Sequence, residues 1–201
     1  VDFNSPLLPM ERYLTFKLYR LLLERDRPVQ LLGLYPQMYS EARFSSEAQL
    51  HYAYQFLRLS ARVFGTDLAA RLSALNRALE ADPPGPVAEL FRMERLSLEL
   101  ANSADKSEQR ATFNALTGLL KRNQADVITR KVLHTRAIQV LGEAESFQYM
   151  ELLSRHWLLT TEPSEMEFVN VATQYSLITM DKAYGFMDQG ELGSAYNVFY
   201  S

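Results

Sequence analysis

The sequence predicts an all-α fold, an α-solenoid of about five antiparallel helix hairpins. Between successive chain breaks, apolar residues recur with the 3.6-residue period of a helix. The 8 glycines and 8 prolines fall mostly where helices would begin or end. No segment shows the sustained apolar–polar alternation that is typical of a half-buried strand. We therefore expect at least eight helices and no sheet.

The first hairpin is divided by Asp26-Arg27-Pro28. Pro9 suits the first turn of a helix that runs to about Arg25. One face of that helix is shared by Leu14, Leu18, Leu21, Leu22 and Arg25. Pro28 can open the next helix, and Pro36 should kink or end it because proline lacks the backbone N–H donor.

The second hairpin begins at Ser45-Ser46-Glu47, which predicts a helix start. Gly65 is expected to end that helix, and Thr66-Asp67 is expected to cap the next one. Asp82-Pro83-Pro84-Gly85-Pro86 is the strongest loop signal in the chain. A helix from Val87 to about Ala104 is expected after that loop.

Ser107 followed by Glu108 predicts the start of the next helix, and residues 123–126 form a short connection. The segment from Val127 to Leu141 is predicted to be helical and to end at Gly142. Another helix is expected from Glu143 to Leu159.

Thr161-Glu162-Pro163 predicts the start of a long helix that reaches Gln189, with Thr161 as its cap. Glu191 to Ser201 is expected to form the last helix. The five hairpins then begin near residues 9, 46, 86, 125 and 162, so successive starts lie 37 to 40 residues apart. Such a period of helix-turn-helix units predicts an α-solenoid that occupies residues 1–201 as a single domain.

The last unit carries small and large residues at a regular spacing: Ala183, Phe186, Gly190, Ala195 and Phe199. On these residues, about residues 176–201 resemble a tetratricopeptide repeat. The resemblance implies that the two alanines let the helices approach, the glycine makes the turn, and the aromatic rings fill the layer between hairpins. It also implies a right-handed superhelix.

The earlier units depart from that pattern. Gly65 and Ala70 keep the spacing, but Ala74 stands where the resemblance calls for an aromatic residue. Phe147 follows Gly142 by five residues and is large where a small residue is expected. The array is therefore expected to be degenerate, and an irregular helical bundle is the alternative.

Composition excludes several classes of function. A net charge of −3 and a pI near 5.7 argue against nucleic-acid binding, which usually needs a basic stripe. The absence of cysteine excludes disulfides, thiolate catalysis and cysteine-ligated zinc. No apolar run approaches the roughly 18 residues of a membrane span, so no membrane insertion is expected within this segment. Both the periplasm and the cytoplasm are compatible with this composition.

No constellation of catalytic or metal-binding residues is evident. His51, His134 and His156 do not form a pair with the four-residue spacing of a helical zinc site. Phosphate-binding loops, dinucleotide fingerprints and nucleophile elbows are also missing from the sequence. We therefore expect no enzyme activity, no cofactor, no metal and no catalytic residues.

The resemblance implies a groove for a protein or peptide partner, lined by the first helix of each hairpin. The expected groove residues are Tyr52, Gln55, Leu59 and Arg62 in the second unit, and Leu177, Met180, Tyr184 and Met187 in the last. Methionine and tyrosine suit such a surface because they adapt to varied partners and tolerate partial wetting.

The leading hypothesis is a protein–protein interaction or ligand-sensing module of a larger bacterial signalling or envelope protein. A structural spacer in a secretion or envelope machine is one alternative, and an all-helical enzyme or small-molecule-binding regulator is another. The chain begins with Val1 and stops within a predicted helix, so we expect a fragment of a longer chain. Its last helix carries Leu192, Ala195, Val198 and Phe199, and this apolar end predicts a homodimer or pairing with further chain.

Overall fold

A computed structural model describes residues 9–41, 44–123, 126–160 and 166–199. The helices, in chain order, are α1 (Pro9–Asp26), α2 (Pro28–Leu32), α3 (Tyr35–Tyr39), α4 (Ser46–Phe64), α5 (Leu68–Glu80), α6 (Gly85–Asn102), α7 (Lys106–Arg122), α8 (Val127–Glu143), α9 (Phe147–Thr160), α10 (Met166–Asp188) and α11 (Leu192–Phe199). These described ranges contain no strand, which confirms the all-α prediction.

The repeat pattern predicts one domain over residues 1–201, and the backbone groups into two compact units. The N-terminal unit covers residues 1–136 and the C-terminal unit covers residues 137–201. The boundary falls inside α8.

Two prolines divide the second helical region of the N-terminal unit. Pro28 lies in the first turn of α2, and Pro36 lies in the first turn of α3. Because a proline cannot donate a backbone hydrogen bond inside a helix, the helix is interrupted by a turn at Gly33-Leu34, and a new helix begins at Tyr35. The predicted interruption at Pro36 is confirmed.

Side-chain caps fix where several helices begin. The Ser45 hydroxyl accepts a hydrogen bond from the Ala48 N–H at 3.2 Å, and the Asp67 carboxylate accepts one from the Ala70 N–H at 3.0 Å. Gly65 ends α4 with φ +55°, and its N–H donates to the Ala61 carbonyl at 2.8 Å. The start and end predicted for α4 and the cap predicted for α5 are therefore confirmed.

Helix α7 begins at Lys106, one residue before the predicted start at Ser107. Asp105 is its N-cap, and the Asp105 carboxylate accepts from the N–H groups of Ser107 and Glu108 at 2.6 and 3.3 Å. Because a carboxylate at this position also complements the positive end of the helix dipole, Asp105 is the stronger cap. The segment from Thr161 to Pro163, predicted to open α10, lies outside the described residues.

Aromatic side chains form much of the core of the N-terminal unit. Edge-to-face contacts join α1, α3, α4 and α6, with ring centroids 5.0 to 6.4 Å apart, through Phe16, Tyr35, Tyr39, Tyr52, Phe56 and Phe91. Such geometries add to the stabilisation from burial itself. These six rings therefore belong to the interior of the unit.

In the C-terminal unit, helix α8 does not end at Gly142 as predicted but continues to Glu143. The left-handed residue is Glu145, at φ +55°, and the Ser146 N–H donates to the Leu141 carbonyl at 2.8 Å. Gly142 instead allows close packing, since a Cβ there would lie 3.3 Å from the Met150 sulfur. Helices α8 and α9 thus approach closely at this glycine.

The turn between α10 and α11 follows the prediction. Gly190 has φ +78°, and its N–H donates to the Met187 carbonyl at 2.9 Å. The Glu191 N–H donates to the Phe186 carbonyl at 2.8 Å, which completes a Schellman turn. Ala183 and Ala195 are buried, so each helix offers a small residue to the interior.

Of the buried layer predicted from Phe186, Ala195 and Phe199, only the alanine is fully buried. Phe186 is half-buried. The side chain of Phe199 lies outside the described part of the structure.

Candidate functional site

Helix α10 presents a stripe of four exposed apolar side chains, which we call the α10 stripe. It consists of Leu177, Met180, Tyr184 and Met187, and their exposed fractions are 61, 42, 51 and 44 %. Intervals of three, four and three residues place them on one face of the helix. The stripe spans eleven residues, or about 15 Å at the rise of an α-helix. This half of the predicted groove is therefore solvent-exposed as a continuous surface.

The opposite side of α10 explains why the stripe faces outward. Val171 and Ala183 are buried, and they anchor the helix to the interior of the C-terminal unit. The hydroxyls of Thr173, Ser176 and Thr179 each donate to the carbonyl four residues earlier, at 2.8 Å. The donor hydrogens of these hydroxyls are therefore used within the helix.

A cavity of about 620 Å³ lies beside the stripe, between α9 and α10. Its lining residues are Phe147, Gln148, Glu151, Leu177, Ile178, Asp181 and Lys182. Phe147 is about half exposed, and Leu177 belongs both to the stripe and to the cavity. Leu177 therefore connects the stripe to the cavity.

The charges beside this surface are unevenly balanced. The Lys182 ammonium lies 2.9 Å from a Glu151 carboxylate oxygen, so these two charges pair with each other. Asp181 follows Leu177 by four residues and Asp188 follows Tyr184 by four, which places both carboxylates along one flank of the stripe. Both are exposed, and neither makes an ion pair with a described residue. The flank is acidic.

The other half of the groove was predicted on α4, and most of its residues are not exposed. Tyr52 and Leu59 are buried at 7 and 6 % exposure, and Gln55 is half-buried. The physical reason is that α1 covers this face of α4, where the Tyr52 ring lies 5.4 Å from the ring of Phe16. A partner could not reach these side chains without displacing core residues.

Arg62 is the exception among those four residues because it is exposed. Its guanidinium donates to the Glu24 carbonyl at 2.8 Å and approaches the Glu24 carboxylate at 3.5 Å. It thereby links α4 to the C-terminal part of α1, and the structure gives it a role within the fold.

A buried ionic cluster in the N-terminal unit was not predicted. Glu94 on α6 accepts hydrogen bonds from Arg136 at 2.8 and 2.7 Å and from Arg71 at 3.1 Å. Glu94 and Arg136 are each 1 % exposed. The sequence does contain a signal, because Glu94 lies on the apolar face of α6 that includes Leu90 and Leu98.

This cluster and the histidines lack the features of a reaction centre. None of the three charged residues lines either cavity described for the two units. His134 is buried, and its Nδ1 lies 3.0 Å from the Arg130 carbonyl oxygen. For His51, burial lowers the pKa of the imidazole. Within the described ranges, no three His, Asp or Glu side chains cluster as a metal site would require. The hydrogen bonds of Glu94 join α6 to α5 and α8.

Among the described helices, none combines the length and apolarity that crossing a membrane requires. No protein-family model, curated protein or solved structure matches the chain.

Proposed function

We propose that the protein is a protein–protein interaction module with a tetratricopeptide-like helical-repeat architecture. In this proposal, the α10 stripe docks an amphipathic helix of a partner protein. The observation that carries it is the row of four exposed apolar side chains from Leu177 to Met187. Exposed apolar surface of this kind, bordered by polar residues, is typical of interaction sites.

The repeat architecture is supported by the last hairpin. Ala183 and Ala195 are buried, and Gly190 makes a tight left-handed turn between the helices that carry them. These are the positions at which a tetratricopeptide repeat needs small residues and a turn. The starts of α1, α4, α6 and α8 at residues 9, 46, 85 and 127 support a repeating unit, in which α2 and α3 together take the place of the second helix of the first unit.

The stripe also defines the partner's apolar side. A helix that lies along about 15 Å of α10 would offer about three turns, with apolar residues at positions i, i+3 or i+4, and i+7. Leu177 is expected to contribute most to the contact, since it is the most exposed of the four and also lines the neighbouring cavity. Met180 and Met187 can adjust their rotamers to an imperfectly matched surface.

The charge of the flank defines the partner's polar side. Asp181 and Asp188 present two carboxylates beside the stripe, while the one basic residue of α10, Lys182, is paired with Glu151. A partner helix with Lys or Arg beside its apolar residues would complement these carboxylates. Complementary charge of this kind raises the association rate and selects among partners.

Fluorescence anisotropy with a designed peptide tests the proposal. The probe is a labelled amphipathic helix of about 18 residues, or five turns, with leucines on one face and lysines on the other. Matched probes are the same residues in scrambled order and the same helix with glutamate in place of lysine. We expect the Leu/Lys helix to bind most tightly and the scrambled peptide least tightly.

Variants locate the binding. Leu177→Gln and Tyr184→Gln should each weaken the Leu/Lys helix tenfold or more, as expected for central apolar contacts. Leu159→Gln is the control, because Leu159 is 78 % exposed but lies on α9 away from the stripe. Equal binding by all four proteins would contradict the proposal.

A second copy of the chain is the competing occupant of the stripe. Sedimentation velocity should therefore find the wild-type protein to be monomeric at the concentrations used for anisotropy. A concentration-dependent dimer that Leu177→Gln abolishes would show that the stripe serves self-association, and it would overturn the partner proposal.

A further inference from the structure

The N-terminal unit contains a cavity of about 320 Å³ between α2, α3, α4 and α5. Its walls are mostly apolar and include Leu32, Pro36, Phe56, Phe64, Ala74 and Ala78. This volume lies at the lower end of the range of about 300 to 1,000 Å³ that is typical of small-molecule sites. Such a site pairs apolar walls with a few placed polar groups.

Tyr39 supplies the first polar group. It lines the cavity and is fully buried, and its hydroxyl has no hydrogen-bond partner within the described chain. The ring is held by edge-to-face contacts with Phe56 at 5.9 Å and Phe91 at 5.2 Å. Because a native protein rarely buries an unpaired hydroxyl, a partner from outside the chain is the simplest explanation.

The Tyr39 hydroxyl is a donor over the whole physiological pH range. Burial raises its pKa to about 12, so the phenol keeps its proton. A neutral phenol in an apolar wall suits a ligand that carries an oxygen acceptor.

Arg77 supplies the second polar group. It is the charged member among the described lining residues, and it is exposed to solvent at the cavity. Its Nε donates to the Ser73 carbonyl at 3.4 Å, and this bond does not use the Nη groups. A guanidinium binds a carboxylate with two hydrogen bonds.

We propose that this cavity binds a small carboxylic acid with an apolar body. The carboxylate meets Arg77 and accepts a hydrogen bond from the Tyr39 hydroxyl, and the apolar body fills the space between the phenylalanine and alanine side chains. This site lies in a different unit from the α10 stripe and does not depend on the proposed docking of a partner helix.

Isothermal titration calorimetry of the full chain tests this site with defined probes. The probes are hexanoate, octanoate and decanoate below their micellar concentrations, together with 1-octanol as the uncharged partner of octanoate. We expect affinity to rise roughly threefold to fourfold per methylene until the cavity is filled. We expect octanoate to bind at least tenfold more tightly than 1-octanol.

Three variants assign the contacts. Arg77→Gln should remove the preference for octanoate over 1-octanol, whereas Arg58→Gln, at an exposed arginine of α4 outside the cavity, should leave it unchanged. Tyr39→Phe should keep the fold and weaken octanoate severalfold. Ala78→Met should occupy the cavity and reduce octanoate binding at least tenfold, with an unchanged circular dichroism spectrum.

Other results would overturn the proposal. These are no measurable heat with any probe, or equal affinity of octanoate for the wild type and for both Arg77→Gln and Tyr39→Phe. Leu177→Gln distinguishes the two sites, because octanoate binding that is lost in this variant would place the acid on the α10 stripe instead.

Discussion

Arg136 holds Glu94 through two hydrogen bonds inside the N-terminal unit, from Nε to one carboxylate oxygen at 2.8 Å and from Nη2 to the other at 2.7 Å. Both side chains are at most 2 % exposed. A guanidinium and a carboxylate that meet in this way satisfy each other's charge and geometry together. Arg71 adds a third bond at 3.1 Å, so the carboxylate joins α5, α6 and α8.

Replacing Glu94 should destabilise the N-terminal unit strongly. Glu94→Gln removes the negative charge with which the buried guanidinium groups are paired. We therefore expect a loss of about 3–5 kcal/mol in the free energy of unfolding. Glu99→Gln is the matched control on the same helix, because its contact with Arg95 is exposed, at 3.6 Å. The control should change stability by about 1 kcal/mol or less. Urea unfolding followed by circular dichroism measures both, and equal effects would argue against a buried cluster.

Tyr39 should make the protein sensitive to alkali. Its folded pKa is about 12 against an ordinary value of 10, because burial disfavours the phenolate. The contribution of the protonated phenol to the free energy of unfolding is therefore fully present below pH 10 and is lost as the pH rises through 12. The shift corresponds to about 2–3 kcal/mol.

Tyr39→Phe removes this titration. Between pH 10 and pH 12, the free energy of unfolding of the variant should therefore rise relative to that of the wild type, by about 2–3 kcal/mol in all. At pH 7 the variant should be at least as stable as the wild type, since the replaced hydroxyl has no partner in the described chain. Urea unfolding at pH 7, 10 and 11.5 tests this expectation. Parallel pH profiles for the two proteins would mean that the Tyr39 hydroxyl is not buried.

A substitution in the turn after α8 should raise the stability of the protein. Glu145 adopts a left-handed conformation with φ +55°, which a residue with a Cβ adopts at a cost of about 1–2 kcal/mol. Glu145→Gly should therefore raise the free energy of unfolding by about 1 kcal/mol. The converse change, Gly190→Ala at φ +78°, should lower it by about the same amount. A Glu145→Gly protein less stable than the wild type would contradict this account of the turn.

Ala195 should not tolerate a larger side chain. It is 3 % exposed in a space that also receives α10, so Ala195→Leu should overpack the last hairpin and cost about 1–3 kcal/mol. Tyr196→Leu serves as the control, because Tyr196 is 60 % exposed on the same helix and its replacement should be nearly neutral. Differential scanning calorimetry compares the two variants. Unchanged melting of Ala195→Leu would argue against close packing of α10 and α11.

Local signals in the sequence predicted the helices well. Pro28 and Pro36 mark real breaks, and Ser45, Asp67 and Gly190 occupy the caps and the turn that their chemistry favours. These features depend on backbone geometry within a few residues, so the sequence alone contains them. Gly142 misled the prediction because its role is contact with Met150 on the next helix, which no local pattern reveals.

The candidate site was predicted only in part because exposure depends on what packs against a helix. The residues Leu177 to Met187 are exposed, whereas Tyr52 and Leu59 occur in a similar pattern and are buried. Phe16 on α1 covers Tyr52. The two residues are 36 positions apart in the chain, so the periodicity of a single helix does not reveal their contact. Glu94 was missed for the same reason, since its partners lie 23 and 42 residues away.

Methionine methyl NMR tests the central claim, which is that the α10 stripe docks an amphipathic helix. With ¹³C-methyl methionine in the protein, Met180 and Met187 report on the stripe, while Met38 and Met93 are buried in the N-terminal unit. Addition of the Leu/Lys helix should shift the Met180 and Met187 resonances and leave those of Met38 and Met93 in place. Shifts confined to other methionines, or no shift at peptide concentrations that saturate the anisotropy signal, would contradict the account.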